Sequence, residues 1–161
     1  MLRKINFIFL VIPFLIGACS SSKKVTSSIK TASPTIADKI VWTAVSYKRT
    51  PYKYGGTTKK GMDCSGLLYV AFNYRGVSLE RTTHEMFKQG YTISLGQVRR
   101  GDLLFFKTVE KSNAKINHVG LVTSVNNGIH FIHSTTSNGV IVSSLLEKYW
   151  KSSFVTAKRV L

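Results

Sequence analysis

Apolar residues recur at helical spacing from Ile36, through Ile40, Val41 and Ala44 to Tyr47, with Ser33-Pro34 ahead of them and Pro51 beyond. Proline suits a first helical turn and disrupts an interior one, so this pattern predicts a capped helix that stops before Pro51. A second run follows Cys64, where Leu67, Leu68, Val70, Ala71, Phe72 and Tyr74 share the same period and Gly76 marks the stop. Asp63 then falls at the N-cap and Cys64 at the first helical position. The stretch from Thr50 to Met62, with Tyr52-Lys53-Tyr54-Gly55-Gly56, is predicted as a loop, and Thr82 to Lys88 as a shorter helix. Farther on, Leu103 to Phe106, His118 to Val125, Ile129 to Ser134, Val140 to Ser143 and Phe154 to Arg159 have the composition of strands. Helices grouped ahead of a meander of strands indicate an α+β fold, with N-terminal helices packed on a mostly antiparallel sheet.

Asn127-Gly128 between two of these strands is a strong hairpin signal. In the simplest two-residue turn His133 lies opposite Val122, four residues from His118. Side chains alternate along a strand, so His118 and His133 share one face while His130 takes the other. Four residues of strand span about 13 Å, too far for a direct hydrogen bond. A longer turn, a bulge or a strand break must alter the register if the two rings touch.

The N-terminus changes the picture of where such a domain works. Met1-Leu2-Arg3-Lys4 precedes a mostly apolar run from Ile5 to Ile16 that is too short to span a bilayer, and small residues follow. This predicts a signal peptide over residues 1–18. Ile16-Gly17-Ala18-Cys19 resembles a bacterial lipobox, which makes Cys19 the lipidation site. The alternative is an ordinary secretory signal that contains a cysteine. Residues 19–33 are polar and low in complexity, a flexible tether, and one small domain is expected over 34–161.

Over the whole chain the net charge is +16, and loss of Arg3 and Lys4 with the leader leaves 21 basic against 7 acidic residues, a net +14. Such a charge suits an anionic membrane or a carboxylate-rich polymer. Export, and the lack of a basic recognition helix, argue against nucleic acid.

Of the two cysteines, Cys19 is accounted for by the leader, which leaves Cys64 without a disulfide partner. The unpaired N–H groups at a helix start favour thiolate over thiol. An inert buried cysteine is the competing reading for such a residue alone. A thiol, an imidazole to take and return its proton, and a polar group to orient that imidazole make up the plan of cysteine acyl transfer. Cys64, His118 and His133 could supply all three.

Tyr52-Lys53-Tyr54-Gly55-Gly56, Asp63-Cys64-Ser65-Gly66-Leu67, Gly101-Asp102-Leu103-Leu104-Phe105-Phe106, His118-Val119-Gly120 and Phe131-Ile132-His133-Ser134 come in a telling order and spacing. Together they resemble the NlpC family of papain-like cell-wall cysteine peptidases. Ser137 to Ser144 and the ending Lys158-Arg159-Val160-Leu161 bring the resemblance nearest to murein endopeptidase lipoproteins of the Spr/MepS type. It implies a papain-like NlpC-type fold, Cys64 as nucleophile, His118 as general base and then acid, and His133 as the orienting residue. It also implies a tyrosine at the oxyanion site, which Tyr52 matches better than Tyr54, and Asp63 and Ser65 lining the substrate groove with Tyr54. For Asp63, N-capping is an equal expectation. Asp102 is expected at a strand edge or turn rather than in the chemistry.

The resemblance further implies hydrolysis of peptidoglycan stem peptides or crosslinks by a monomer that needs no metal and no organic cofactor. The expected bond is the D-Ala to diaminopimelate crosslink, with the γ-D-glutamyl to diaminopimelate bond as the alternative. The expected location is the bacterial envelope, on the outer membrane facing the periplasm, held by lipid on Cys19. A non-catalytic wall-binding lipoprotein and an acyl transferase acting on lipids are the competing classes. Two departures stand out: Glu80-Arg81-Thr82 replaces the family's Pro-Arg-Ser/Thr, and Met86 stands where a glutamine is frequent. Glu110 to Ile116, polar and lysine-rich, is expected as a mobile rim loop.

Overall fold

The computed structural model describes residues 33–108 and 115–161. The predicted leader, Cys19, the tether to residue 32 and residues 110–114 of the rim loop lie outside the described residues. Ser33–Leu161 forms one compact unit.

Helix α1, Ile36–Val45, opens on a capping box: Thr35 accepts from the Asp38 N–H while Asp38 accepts from the Thr35 N–H. The cap is therefore Thr35, two residues later than Ser33-Pro34 suggests, because only a hydroxyl three residues ahead of a carboxylate can satisfy both orphan amides. Helix α2, Cys64–Asn73, starts at the Asp63 cap, and Gly76 beyond it takes a φ of 74°. Helix α3 is Thr83–Lys88, capped by Thr82. In the segment expected as a loop, strands β1 (Thr57–Thr58) and β2 (Gly61–Met62) form a small antiparallel hairpin.

The remaining strands are β3 (Tyr91–Ile93), β4 (Leu103–Phe106), β5 (His118–Ser124), β6 (His130–Thr135), β7 (Gly139–Ser144) and β8 (Phe154–Arg159). All pair antiparallel in the order β3-β8-β4-β5-β6-β7. Helix α4, Lys148–Ser153, leads into β8. The fold is α+β with helices against a mostly antiparallel sheet, as the sequence pattern predicts. Strand β3 and helix α4 have no counterpart in that prediction, because each buries a single large residue, Ile93 and Trp150, and so carries no period.

Both faces of the sheet are covered, which is why β4 is buried at all four positions. Leu103, Phe105, Val119, Leu121 and Ile132 pack in one core with Ile40, Val41, Leu67, Leu68 and Phe72 of α1 and α2. Alternate residues of the same strands, Leu104, Phe106, Val122 and Phe131, form a second core with Val98 and Trp150.

The β5–β6 connection corrects the expected register. Val122 pairs with Phe131 and Leu121 with Ile132, and a bulge follows before Ser124 meets His130. Asn127 and Gly128 have positive φ, 57° and 104°, within a five-residue connection, 125–129, rather than a two-residue turn. Continued along the strands, this register sets His133 opposite Gly120, two residues from His118 instead of four. The bulge and the longer turn remove the 13 Å difficulty while keeping the two imidazoles on one face. Phe131 fills the room that Gly120 leaves: a Cβ there would sit 2.4 Å from the Phe131 ring.

Candidate active site

The start of α2 is built around one carboxylate. Asp63, in extended conformation at the N-cap, accepts from the Gly66 N–H at 2.6 Å and from the Gly55 N–H at 2.7 Å. Arg81 forks onto both of its oxygens at 3.1 and 3.2 Å, and the Ser65 hydroxyl donates to it at 3.2 Å. Burial alone would raise the Asp63 pKa, yet Arg81 and the two amides hold it below the usual carboxylate range. The capping expectation for Asp63 is met, and its oxygens are occupied within the fold. The Gly56 carbonyl crosses so close to Gly66 that a Cβ at Gly66 would lie 2.1 Å from it, so that position of Asp63-Cys64-Ser65-Gly66 has room only for glycine.

Tyr52 is placed by the chain just ahead of the nucleophile. It bridges to Met62, whose N–H donates to the Pro51 carbonyl at 3.1 Å and whose carbonyl accepts from the Lys53 N–H at 3.3 Å. Ser134 on β6 also donates to the Met62 carbonyl, at 2.7 Å. Tyr52 therefore stands beside the residues that lead directly into Cys64. Burial, followed by the nearby Cys64 and Asp63, raises its phenol pKa. Tyr54 stands on the following turn, 88% exposed.

Cys64 is 9% exposed. Its sulfur lies 3.8 Å from the Thr83 hydroxyl at the start of α3. Burial pushes the thiol pKa up; hydrogen bonds from the Val119 backbone, the Thr83 hydroxyl and the Ser65 backbone oppose this, and the Asp63 charge adds to it. The helix start alone predicts a lowered pKa, but desolvation of a buried sulfur outweighs the terminal amides, so the resting group is a thiol.

The two histidines form a chain. His118 Nε2 lies 2.9 Å from His133 Nδ1, and His133 Nε2 lies 3.1 Å from the Ser143 hydroxyl on β7. Trp150 stacks on His118 with ring centres 5.3 Å apart and meets His133 edge-on at 4.5 Å. This apolar box lowers both imidazole pKa values, that of His118 to about 4, by burial first and, for His133, by the repulsion of charging it beside His118. His130 bonds instead to the Gly128 carbonyl, away from this chain.

Two cavities of about 490 and 460 Å³ flank the sulfur, and Tyr52, Cys64 and Asn117 line both. The larger is walled by His118, Ser137, Asn138, Tyr149 and Trp150, without a charged side chain. The smaller is walled by Asp63, Ser65, Tyr54, Arg81 and His84. The structure thus brings Cys64, His118, Tyr52, Tyr54, Asp63 and Ser65 to one cleft, with His133 buried behind His118. Sequence reasoning missed Arg81, Thr83, Ser143 and Trp150. Arg81 carried a signal, as a lone arginine directly ahead of the Thr82 cap. Trp150 carried none, being isolated in a segment without period. Met86, in place of the glutamine, is fully buried in the α1–α2 core, so it contributes packing in place of a hydrogen bond. Asp102 is also buried, paired with Arg159 at 2.8 Å away from the cleft. Among the described residues, no group of three or more His, Cys, Asp or Glu side chains could hold a metal.

A model of the NlpC/P60 family matches residues 49–159. The murein DD-endopeptidase MepS/murein LD-carboxypeptidase of Escherichia coli K12 is 40% identical over 116 residues, which is 71% of this chain and 58% of that protein. The chain therefore spans less than two thirds of the length of that relative. The E. coli K12 protein named "Probable endopeptidase NlpC" is also 40% identical over 116 residues, 71% of this chain and 72% of its own. A crystal structure of a NlpC/P60 family protein from Bacillus cereus superposes with a TM-score of 0.71 at 25% identity, covering 80% of this chain and 41% of that one.

Proposed function

Because the chain belongs to the NlpC/P60 family, we propose that it is a cysteine peptidase that hydrolyses amide bonds in the peptide part of peptidoglycan. The observation that carries this reading is the cleft itself: Cys64 and His118 line one cavity, and the His118 ring is held at 2.9 Å by His133.

One arrangement of protons makes the chain competent. His118 donates its Nε2–H to His133 Nδ1, and His133 donates its Nε2–H to Ser143 Oγ, which leaves His118 Nδ1 free as a base. With the thiol raised and the imidazole lowered, the resting pair is neutral, so proton transfer accompanies attack. The Cys64 sulfur adds to the substrate carbonyl carbon as its proton moves to His118 Nδ1. The oxyanion is met by the Tyr52 hydroxyl and the Cys64 backbone N–H, the first free amide of α2. His118 then gives its proton to the leaving amine nitrogen, and the C–N bond breaks to leave a thioester. A water, deprotonated by His118, adds to the thioester carbonyl; the C–S bond breaks, His118 returns that proton to the sulfur, and the acyl half leaves as a carboxylic acid that gives its remaining proton to solvent. No metal or organic cofactor enters these steps.

The substrate peptide crosses Cys64 from one cavity to the other, with Asp63, Ser65 and Tyr54 on the charged side. The bond we infer is the D-Ala to diaminopimelate crosslink, supported by the name of the E. coli relative. The leader pattern supports lipidation at Cys19 and tethering in the bacterial envelope, on the outer membrane facing the periplasm. Cys19→Ala is expected to stop incorporation of labelled fatty acid. Digestion of purified peptidoglycan, with products identified by mass spectrometry, tests the activity: crosslinked dimers should fall to monomers with the wild type and persist with Cys64→Ser. Free γ-D-glutamyl termini would place the cut at the other bond, and intact peptidoglycan would end the peptidase reading.

A further inference from the structure

Away from the cleft, α1, the C-terminal end of α2 and the β1–β2 hairpin enclose a groove of about 350 Å³. Trp42 and Tyr74 stand in it 51% and 72% exposed, and Tyr47 forms part of its wall. The side chain of Arg75 is fixed there: its Nε donates to the Thr43 hydroxyl at 2.8 Å and to the Lys39 carbonyl at 3.2 Å. Its guanidinium lies 5.0 Å from the centre of the Tyr74 ring, and the Lys59 ammonium 5.8 Å from that of Tyr47. The lining holds two cations and no carboxylate.

Isolated exposed aromatics are ordinary on a protein surface; three gathered in one concave groove with two cations are not. Flat ring faces suit the C–H faces of sugar rings, and the cations suit carboxylates, so the groove is complementary to an anionic amino-sugar polymer. A bilayer fits less well. The cations are folded over rings rather than splayed toward lipid phosphates, and a flat surface does not reach the floor of a groove.

Distance links this groove to the chemistry. Cys64 opens α2 and Tyr74 caps its other end, ten residues or about 15 Å along the axis. An extended peptide of four or five residues spans about the same length. We propose that the groove binds a glycan strand of peptidoglycan, with sugar rings against Trp42 and Tyr74 and branch carboxylates near Lys59 and Arg75, while a peptide branch from that strand reaches Cys64. This inference rests on the wall-polymer reading above, but binding can be measured without cleavage.

The test uses the full chain carrying Cys64→Ser, sedimented with purified insoluble peptidoglycan. Adding Trp42→Ala and Tyr74→Ala should weaken binding about tenfold. In the active chain the same two substitutions should slow digestion of intact peptidoglycan and leave cleavage of a sugar-free crosslinked stem-peptide dimer unchanged. That soluble reaction also reports that the fold is kept. Unchanged binding to peptidoglycan overturns the inference. So does a parallel loss on the sugar-free dimer, or a loss confined to vesicles of phosphatidylglycerol, which would make the groove a membrane contact. If the wild type cuts neither substrate, the peptidase reading fails while the sedimentation result still decides the groove.

Discussion

Lowering the pH from 7 to 5 should destabilise the folded domain through its two buried imidazoles. In the fold, burial holds the His118 pKa down to about 4, against 6.5 for the free side chain. The unfolded chain therefore binds a proton below pH 6.5 that the folded chain refuses until about pH 4. Stability from this group is present in full above 6.5 and is lost as pH falls toward the folded value. At pH 5 about 1.5 units of that interval have been crossed, which at 1.36 kcal/mol per unit is about 2 kcal/mol for His118. His133 is lowered in the same direction and adds to the loss, though the pair shares its proton equilibria and the two do not simply add. Asp63 does not contribute in this window: its pKa is lowered, so its stability is lost only in stronger acid. Urea titrations at pH 7 and 5 measure the difference, on the wild type and on a His118→Asn, His133→Asn double variant. The wild type should lose at least about 2 kcal/mol between the two pH values and the double variant far less. An equal loss in both proteins, or none in the wild type, would refute the burial argument.

Iodoacetamide should alkylate Cys64 more slowly than free cysteine at pH 6 and accelerate with rising pH, because burial keeps the sulfur protonated; fast labelling in mild acid would contradict this. Tyr52→Phe should lower kcat about 100-fold if its hydroxyl meets the oxyanion, whereas Tyr54→Phe should have little effect; comparable losses would remove Tyr52 from that role. Ser143→Ala should cost about tenfold in kcat at unchanged KM, since His133 loses the acceptor that fixes its tautomer, and His130→Ala should leave kcat unchanged. Arg81→Leu should destabilise the domain by about 3 kcal/mol in urea titration, since it strips a buried carboxylate of its cation.

Much of this fold is legible in the sequence because its main elements carry strong periods or strong caps. Helix α2 is marked twice, by six apolar positions and by the Asp63 and Gly76 punctuation, and it forms at Cys64–Asn73. Strand β8 occupies the predicted Phe154–Arg159, and β4 the predicted Leu103–Phe106. Elements held by tertiary contact are silent: α4 exists to place Trp150 against Phe106, Phe131 and His118, contacts that no local pattern encodes. The candidate cleft divides in the same way. Strand alternation puts His118 and His133 on one face, but their contact depends on a bulge that a residue string does not announce. The helix start points the Cys64 pKa downward while the packed domain raises it, since burial is not written in a local pattern.

The Asp63 carboxylate joins three separate stretches of chain: the turn after Tyr52, the nucleophile's own helix and the arginine ahead of α3. None of these can loosen alone without leaving a charge or an amide unpaired, so they should open and close as one unit. In hydrogen exchange the amides of Gly55 and Gly66 would then report a common opening free energy, although eleven residues separate them and one lies in a turn and the other in a helix. Substrate access through motion of the Tyr52 loop alone is disfavoured by this linkage. The wall beside Tyr149 and Trp150 has no bond to that carboxylate, so its opening is not coupled to this unit.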